Sequence, residues 1–498
     1  MIENLILGAT AMMGPINLLV LFLGTSAGIF FGAIPGLSNT MVIALFLPVS
    51  FTLPPLEGMS LLVALYIGGM SGGLIPAVLI NIPGTPASVA TCFDGYPMTK
   101  KGQAMKALGI GLVASFIGTI ISVIFMIFAS SALARAALAF GPFEYFAIAF
   151  FSLSLISSLA GKSMLKGIIM ALFGMMFATI GMAPIDGAIR FNFGSRHLVG
   201  NLDVLTVLVG MFALSEIMVN AEITRNNTTT TNLNVDYKSV RGFGFTMAEF
   251  KSQISNLARS IGIGLGVGVL PGIGASTINL MAYAAARSRS KHPEKFGTGI
   301  IDGVVATESS NSASVGGAMV PLMALGIPGD IATAMLLGGL MIHGLTPGPL
   351  LFAERPVMVY GIFVGMMLAT FIMLAVQYYG IRLFIKVLVV PRYILMPIIF
   401  TMCIVGAFGI NNRIFDTYVV VFFGVLGYLF SKFKLPIAPL IMGFILGPMA
   451  ETFLRRALML SQGSYAPFIT RPISGVFIVA TLLFLTFTAV KRIKTGGN

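Results

Sequence analysis

Two stretches of this chain set small polar side chains beside proline–glycine pairs in otherwise apolar surroundings, at matching spacing. In GGMSGGLIPAVLINIPGTPAS, Pro76 is followed seven residues later by Pro83-Gly84, with Asn81, Thr85 and Ser88 around the pair. In GGAMVPLMALGIPGDIAT, Pro321 is followed seven residues later by Pro328-Gly329, with Asp330 and Thr333 beyond it. A second kind of break, Pro35-Gly36 ahead of Asn39-Thr40, recurs as Pro271-Gly272 ahead of Ser276-Thr277. Proline removes a backbone donor and clashes with the preceding turn, and glycine lets the chain leave the helix. The helix that restarts after such a break presents free N–H groups and a partial positive charge, which suits a carboxylate. Pro35, Gly36, Asn39, Thr40, Asn81, Pro83, Gly84, Thr85, Ser88, Pro271, Gly272, Ser276, Thr277, Pro328, Gly329 and Thr333 are therefore the candidate substrate-binding set. Hydroxyls and amides also serve as ordinary helix caps, so the set carries the reading rather than any one member.

Acids supply a second kind of chemistry. Glu308 and Asn311 lie in the polar run Ala306–Ser314, ahead of the second broken segment, and Asp330 follows its Pro-Gly pair. Ionisable groups at membrane depth are costly and usually functional. Glu308, Asn311 and Asp330 are the expected cation-coupling residues, either taking a proton or joining carbonyl oxygens around a sodium ion whose ligands the sequence does not identify. A Glu308 at the interface, in water or paired with Arg, is the plainer alternative. Asp94, in DGYP, reads as the start of a turn at the membrane surface.

Enzymatic readings fare worse. Gly24-Thr-Ser26-Ala-Gly28 and Gly69-Met-Ser71-Gly-Gly73 match a hydrolase nucleophile elbow, but that pattern needs a strand–turn–helix and a general base. The three histidines, His197, His292 and His343, fall in expected loops or span ends. No phosphate-binding loop ending in GK[ST] occurs. Cys92 and Cys403 are too few for a disulfide framework or a metal cluster. No resident cofactor is expected, bound sodium apart.

The elements that must hold these residues are membrane helices. The chain is 57% hydrophobic and 9% charged over 498 residues, far below the roughly quarter charged that a soluble domain carries. Its apolar runs are continuous rather than alternating, which excludes a β-barrel. The net charge of +13 sits in short loops between spans, the pattern that orients helices rather than one that binds nucleic acid. The stretch Gly68–Gln103 is expected to span, and further spans are expected near 107–129, 142–158, 164–182, 203–219, 357–376, 393–407, 416–430 and 436–450. Ile16–Ile34 is apolar and ends at Pro35-Gly36, and Asn39–Phe51 is too short to cross a bilayer, so the pair reads as a re-entrant hairpin.

The chain repeats itself. Gly268-x-x-Pro271-Gly272 matches Gly32-x-x-Pro35-Gly36, and equivalent loops carry opposite charge bias. The loop 52–58 has no basic residue, whereas its counterpart 287–296 holds Arg287, Arg289, Lys291 and Lys295. Lys100, Lys101 and Lys106 stand opposite a loop, 344–356, with only Arg355. If Lys and Arg mark the cytoplasm, the two halves are inverted. The expected architecture is an all-α polytopic membrane protein of two inverted-topology repeats with broken, re-entrant helices. Residues 1–219 form the first repeat, 220–256 a polar cytoplasmic linker and 257–450 the second repeat. Residues 451–498 supply an external loop, an added C-terminal helix near 473–490 and a basic tail. The N-terminus is then periplasmic and the C-terminus cytoplasmic. Arg455, Arg456 and Arg471 fall on the wrong side of this topology unless they pair with acids such as Glu451. Two interrupted helices in corresponding halves point to a transporter's binding site.

PGLSNT, NIPGTPASVATCFDGYPMTKKGQA, GVLPGIGAST and ALGIPGD resemble the large membrane subunit of the tripartite tricarboxylate transporter family, over nearly the whole chain. The resemblance implies a bacterial inner-membrane secondary transporter that imports carboxylates such as citrate, driven by sodium or protons. It implies a small membrane subunit and a periplasmic substrate-binding protein as partners, besides membrane lipid. One departure between the halves is that Asp330 stands where the first has Thr85. An anion channel shares the broken helices and is the alternative; an intramembrane hydrolase is the remoter one.

Overall fold

The computed structural model describes residues 1–34, 37–159, 164–226, 243–387 and 392–494. Pro35 and Gly36, and the middle of the polar linker, lie outside the described residues. In chain order the first half contains α1 (Ile2–Met12), α2 (Pro15–Gly32), α3 (Asn39–Phe51), α4 (Pro55–Gly72), α5 (Leu74–Ile80), α6 (Val89–Lys100), α7 (Ala104–Ala137), α8 (Pro142–Leu159) and α9 (Met164–Ala178). A two-residue hairpin, β1 (Gly181–Met182) and β2 (Ile189–Arg190), precedes α10 (Val204–Leu208), a π-helical turn over Val209–Leu214, and α11 (Ser215–Asn226). The second half has α12 (Met247–Ser252), α13 (Ile254–Gly268), α14 (Ala275–Arg289), α15 (Ile301–Leu325), α16 (Ile331–Ile342), α17 (Pro349–Glu354), α18 (Pro356–Val387), α19 (Arg392–Asn411), α20 (Ile414–Lys432) and α21 (Ile437–Leu460). The short α22 (Pro467–Thr470) and α23 (Pro472–Lys494) close the chain.

Among the described residues seven helical segments are long and apolar enough to cross a membrane. The chain is a multi-span membrane protein. Helices occupy the expected spans, except that the stretch after Leu74 is interrupted between α5 and α6, and both ends of the linker are helical. The helices stop where the sequence breaks them. Asn81 takes the left-handed conformation (φ 58°) at the end of α5, and Gly326 (φ 72°) does so at the end of α15. Ser38 caps α3 by accepting from Met41 N–H (3.2 Å), and Asp330 caps α16 by accepting from Thr333 N–H (2.7 Å).

The chain forms two compact units, each drawn from both halves. One comprises Met1–Ala134 and Glu216–Ile410, the other Arg135–Ser215 and Asn411–Asn498. In the first, α2 lies so close along α4 that a Cβ on Gly28 would meet the Leu65 carbonyl at 2.6 Å, and α13 lies as close along α15, where a Cβ on Gly264 would meet the Ser310 carbonyl at 2.6 Å. Close backbone approach of this kind is how helices associate without a hydrophobic driving force between them. In the second unit α21 runs against α8 and α9, and α23 against α8. Several of its arginines are paired: Arg190 with Glu451 (2.8 Å), Arg455 with Asp186 (2.6 Å) and Glu451 (3.4 Å), and Arg471 with Glu144 (3.2 Å). The pairing expected of Arg455 with Glu451 is thus present.

Asp94 departs from expectation. It lies inside α6, not in a turn, and is fully buried. Its carboxylate accepts from the N–H groups of Gly297 (3.0 Å), Gly299 (2.8 Å) and Ile300 (3.2 Å) and from the Tyr283 hydroxyl (2.9 Å). Asp-Gly is a turn signal only when nothing distant competes. Here three backbone donors and a phenol more than 180 residues away hold the carboxylate in a helix.

Candidate functional site

Three of the four breaks, at Gly84, Gly272 and Gly329, fall among the described residues, and all three lie in the first unit. In the second half, Gly272 N–H donates to the Gly329 carbonyl at 2.6 Å. In the first half, a Cβ on Gly84 would lie 2.3 Å from the Gly32 carbonyl and 2.8 Å from Gly73 Cα. Gly329 packs in the same way on Ala318, the residue eleven before it, at 2.6 Å. Both Pro-Gly corners thus fold back onto the helix they interrupt, at equivalent positions.

Side chains then join the halves. The Tyr66 hydroxyl on α4 donates to Asp330 Oδ2 (3.2 Å), and Asn311 Nδ2 on α15 donates to the Met70 carbonyl (3.4 Å). Thr91 Oγ1 on α6 donates to Glu308 Oε1 (2.6 Å), while Ser115 Oγ on α7 donates to Glu308 Oε2 (3.1 Å). Asn279 on α14 donates to the Ala87 carbonyl and accepts from Ser310 Oγ (3.0 Å). Glu308 is fully buried and both its oxygens face hydroxyl donors, so it is not an interfacial residue paired with Arg. A full negative charge without a cation would cost far more there than two neutral hydrogen bonds return.

The remaining expected residues are placed as follows. Asn39 is buried and donates to the Tyr66 carbonyl (3.3 Å), and the Thr40 hydroxyl meets Ser38 Oγ (2.8 Å). Thr85 and Ser88 are buried and tied to each other, Thr85 N–H donating to Ser88 Oγ (3.2 Å) and Ser88 Oγ to the Thr85 carbonyl (2.9 Å). Asn81 is exposed, and Pro83 is half-buried. Pro271 is buried, Ser276 half-buried and Thr277 exposed, at the start of α14. Pro328 and Thr333 are buried, and Thr333 donates to Asp330 Oδ1 (2.8 Å).

Two of the four restarted helices already carry an acid. Asp330 caps α16. At α3, Ser38 Oγ donates to Glu216 Oε2 (2.6 Å). Sequence reasoning missed Glu216, which is 178 residues from Ser38; the one available signal was an acid near the end of an apolar span. The start of α14 has no side-chain cap, the Gly274 carbonyl accepting from Thr277 N–H (3.0 Å) and Ile278 N–H (3.3 Å), and α6 runs on directly from a turn over Pro86–Ser88. Ser26 sits inside the continuous helix α2, and Ser71 accepts from Gln377 Nε2 (2.9 Å); neither stands on the strand–turn–helix that a nucleophile elbow needs.

A family model described as the tripartite tricarboxylate transporter TctA family matches residues 18–442. Two proteins of Agrobacterium vitis are similar. One, an uncharacterized 52.8 kDa protein in the TAR-I ttuC' 3'region, is 34% identical over 495 residues, covering 99% of this chain and 97% of the relative. The other, an uncharacterized protein in the TAR-II ttuC' 3'region, is 35% identical over 223 residues, 44% of this chain and 92% of the relative. No solved structure matches the chain. With broken helices meeting in one unit and a family match over most of its length, this chain belongs to the tripartite tricarboxylate transporter TctA family.

Proposed function

We propose that the chain is the membrane-embedded permease of a binding-protein-dependent secondary transporter that imports carboxylates across the bacterial inner membrane, coupled to a sodium or proton gradient. The observation that carries this reading is the gathering of the described breaks, at Gly84, Gly272 and Gly329, inside one unit built from both halves. Irregular backbone at membrane depth is tolerated where it is buried in protein or lines a wet cavity. The uncapped start of α14, with Ser276 and Thr277, supplies N–H and hydroxyl donors for the substrate carboxylates. Glu308, Asp330 and Asn311 take the coupling cation, which offsets anionic charge in a low-dielectric core. The broken-helix unit moves, and the unit of residues 135–215 and 411–498 serves as scaffold, in an elevator-like exchange between faces.

Inverted repeats fit this division, since each half gives its broken helices to one unit and its last spans to the other. A small membrane subunit and a periplasmic binding protein complete the system, with the N-terminus periplasmic and the C-terminus cytoplasmic. Uptake by Asn39→Ala, Thr85→Ala, Ser276→Ala and Asp330→Ala variants tests the site. Loss in several of them supports it, and unchanged uptake by all four, folded, refutes it.

A further inference from the structure

The substrate reading assigned the breaks a donor chemistry, yet the atoms left free around α4 are acceptors. Asn39 Nδ2 is spent on the Tyr66 carbonyl and Asn311 Nδ2 on the Met70 carbonyl. Because a carbonyl can only accept, these contacts fix which end of each carboxamide is nitrogen. Asn39 Oδ1 and Asn311 Oδ1 are buried with no hydrogen-bond partner in the chain, and so is Thr85 Oγ1. Their residues are 5%, 0% and 3% exposed. Ser88 N–H donates to the Thr85 carbonyl (3.0 Å).

All three side chains reach the same turn of helix. A Cβ on Gly69 would lie 2.1 Å from Asn39 Oδ1, and one on Gly73 would lie 2.8 Å from Thr85 Oγ1. Gly69 and Gly73 are four residues apart and share a face of the helix, and Met70, which Asn311 grips, lies between them. The absence of side chains at both glycines is what lets these oxygens close in on α4. Carboxylate oxygens would be repelled by carboxamide oxygens, so the substrate anion does not bind here. Neutral carboxamide and hydroxyl oxygens are ligands for a hard cation. Among the described residues no three His, Cys, Asp or Glu side chains gather into a metal-binding group, and the three oxygens bring no charge to balance a divalent ion.

We propose that Asn39 Oδ1, Thr85 Oγ1 and Asn311 Oδ1, gathered on the Gly69–Gly73 turn of α4, form a binding site for a monovalent, sodium-sized cation. The site draws ligands from α3, from the first Pro-Gly corner and from α15, so filling it fixes both halves around α4. Binding stands on this geometry alone; its role as the coupling ion rests on the transport reading.

The test is the thermal unfolding of the purified full chain, titrated with sodium chloride against choline chloride at constant ionic strength. The wild type is expected to show a saturable, sodium-specific rise in Tm. Thr85→Ser, which keeps the oxygen, is expected to retain it. Thr85→Val, nearly the same shape without the oxygen, and Asn311→Leu are expected to raise the half-saturating sodium concentration by about tenfold or more. No sodium-specific rise in the wild type overturns the site and leaves the oxygens to water. An unchanged half-saturation in Thr85→Val and Asn311→Leu also overturns it, placing sodium elsewhere. Uptake separates the two readings. Sodium binding at these residues with sodium-independent uptake removes the coupling role and keeps the site. Sodium-dependent uptake with Tm shifts indifferent to Thr85 and Asn311 does the reverse.

Discussion

The amide of Gly272 donates to the carbonyl of Gly329 at 2.6 Å, tying the two breaks of the second half together through the backbone. Fifty-seven residues of chain separate these corners, and each would expose unpaired backbone if it stood alone in hydrocarbon. Joined, one satisfies part of the other's demand. In the first half the same kind of meeting is made by contact, with Gly84 against Gly32 and Gly73.

Filling that contact should be felt. Alanine at Gly84 places a Cβ 2.3 Å from the Gly32 carbonyl, a backbone atom that cannot swing aside. Gly84→Ala is expected to cost roughly 1–3 kcal/mol by overpacking, read as a lowered midpoint of thermal unfolding. Gly274→Ala is the control, because its Cβ would meet nothing nearer than Ser276 Oγ at 3.9 Å. Equal tolerance of both would mean that the first corner is not packed as seen.

Tyr66 and Asp330 form a hydrogen bond between the halves, so their substitutions should not be independent. Tyr66→Phe and Asp330→Asn are each expected to lower stability by about 1–3 kcal/mol. The double variant should lose less than their sum, giving a coupling energy above roughly 0.5 kcal/mol in a double-mutant cycle. Strict additivity would show that the contact contributes nothing.

Asp94 holds the loop that leads into α15. Asp94→Ala leaves three backbone donors and a phenol without their acceptor, and hydrogen–deuterium exchange at Gly297, Gly299 and Ile300 should accelerate together. Exchange at the capped start of α16, around Thr333, should change little. Unaltered protection at the three amides would contradict the role given to Asp94.

Lys106 and Glu249 give a pH signature outside the spans. A hydrogen bond from Lys106, then one from the Thr246 N–H, holds the Glu249 carboxyl below its ordinary value. A depressed folded pKa contributes stability that is present above the unfolded value and is lost as pH falls through the folded one. The pair is partly exposed, 23% and 32% at the side chains, so solvent screening keeps the effect small. Protection of the α12 amides should decline as pH is lowered through the carboxylate range, and Glu249→Gln should abolish that dependence. An identical decline in Glu249→Gln would assign it to another group.

What was legible in the sequence follows from range. The Pro76/Pro83 and Pro321/Pro328 spacings are local, and local stereochemistry alone breaks a helix there. Buried Glu308 and half-buried Asp330 were legible because an acid in an apolar run has few outlets. Asp94 was misread because its partners lie near residue 300, and a local turn signal cannot reveal a distant set of backbone donors. Glu216 was missed for the same reason, its contact with Ser38 being a product of tertiary packing. The sequence offers Asn39, Thr85 and Asn311 as polar residues; only coordinates show which atom of each is spent, and hence that oxygen rather than N–H remains.

The measurement closest to the central claim is carboxylate uptake by proteoliposomes holding this chain with its small membrane subunit, the binding protein outside, under imposed sodium or proton gradients. The transport reading predicts saturable, gradient-driven accumulation and counterflow of labelled substrate, both dependent on the binding protein. Equilibration without accumulation or counterflow, indifferent to gradient and binding protein, would show a channel and contradict it.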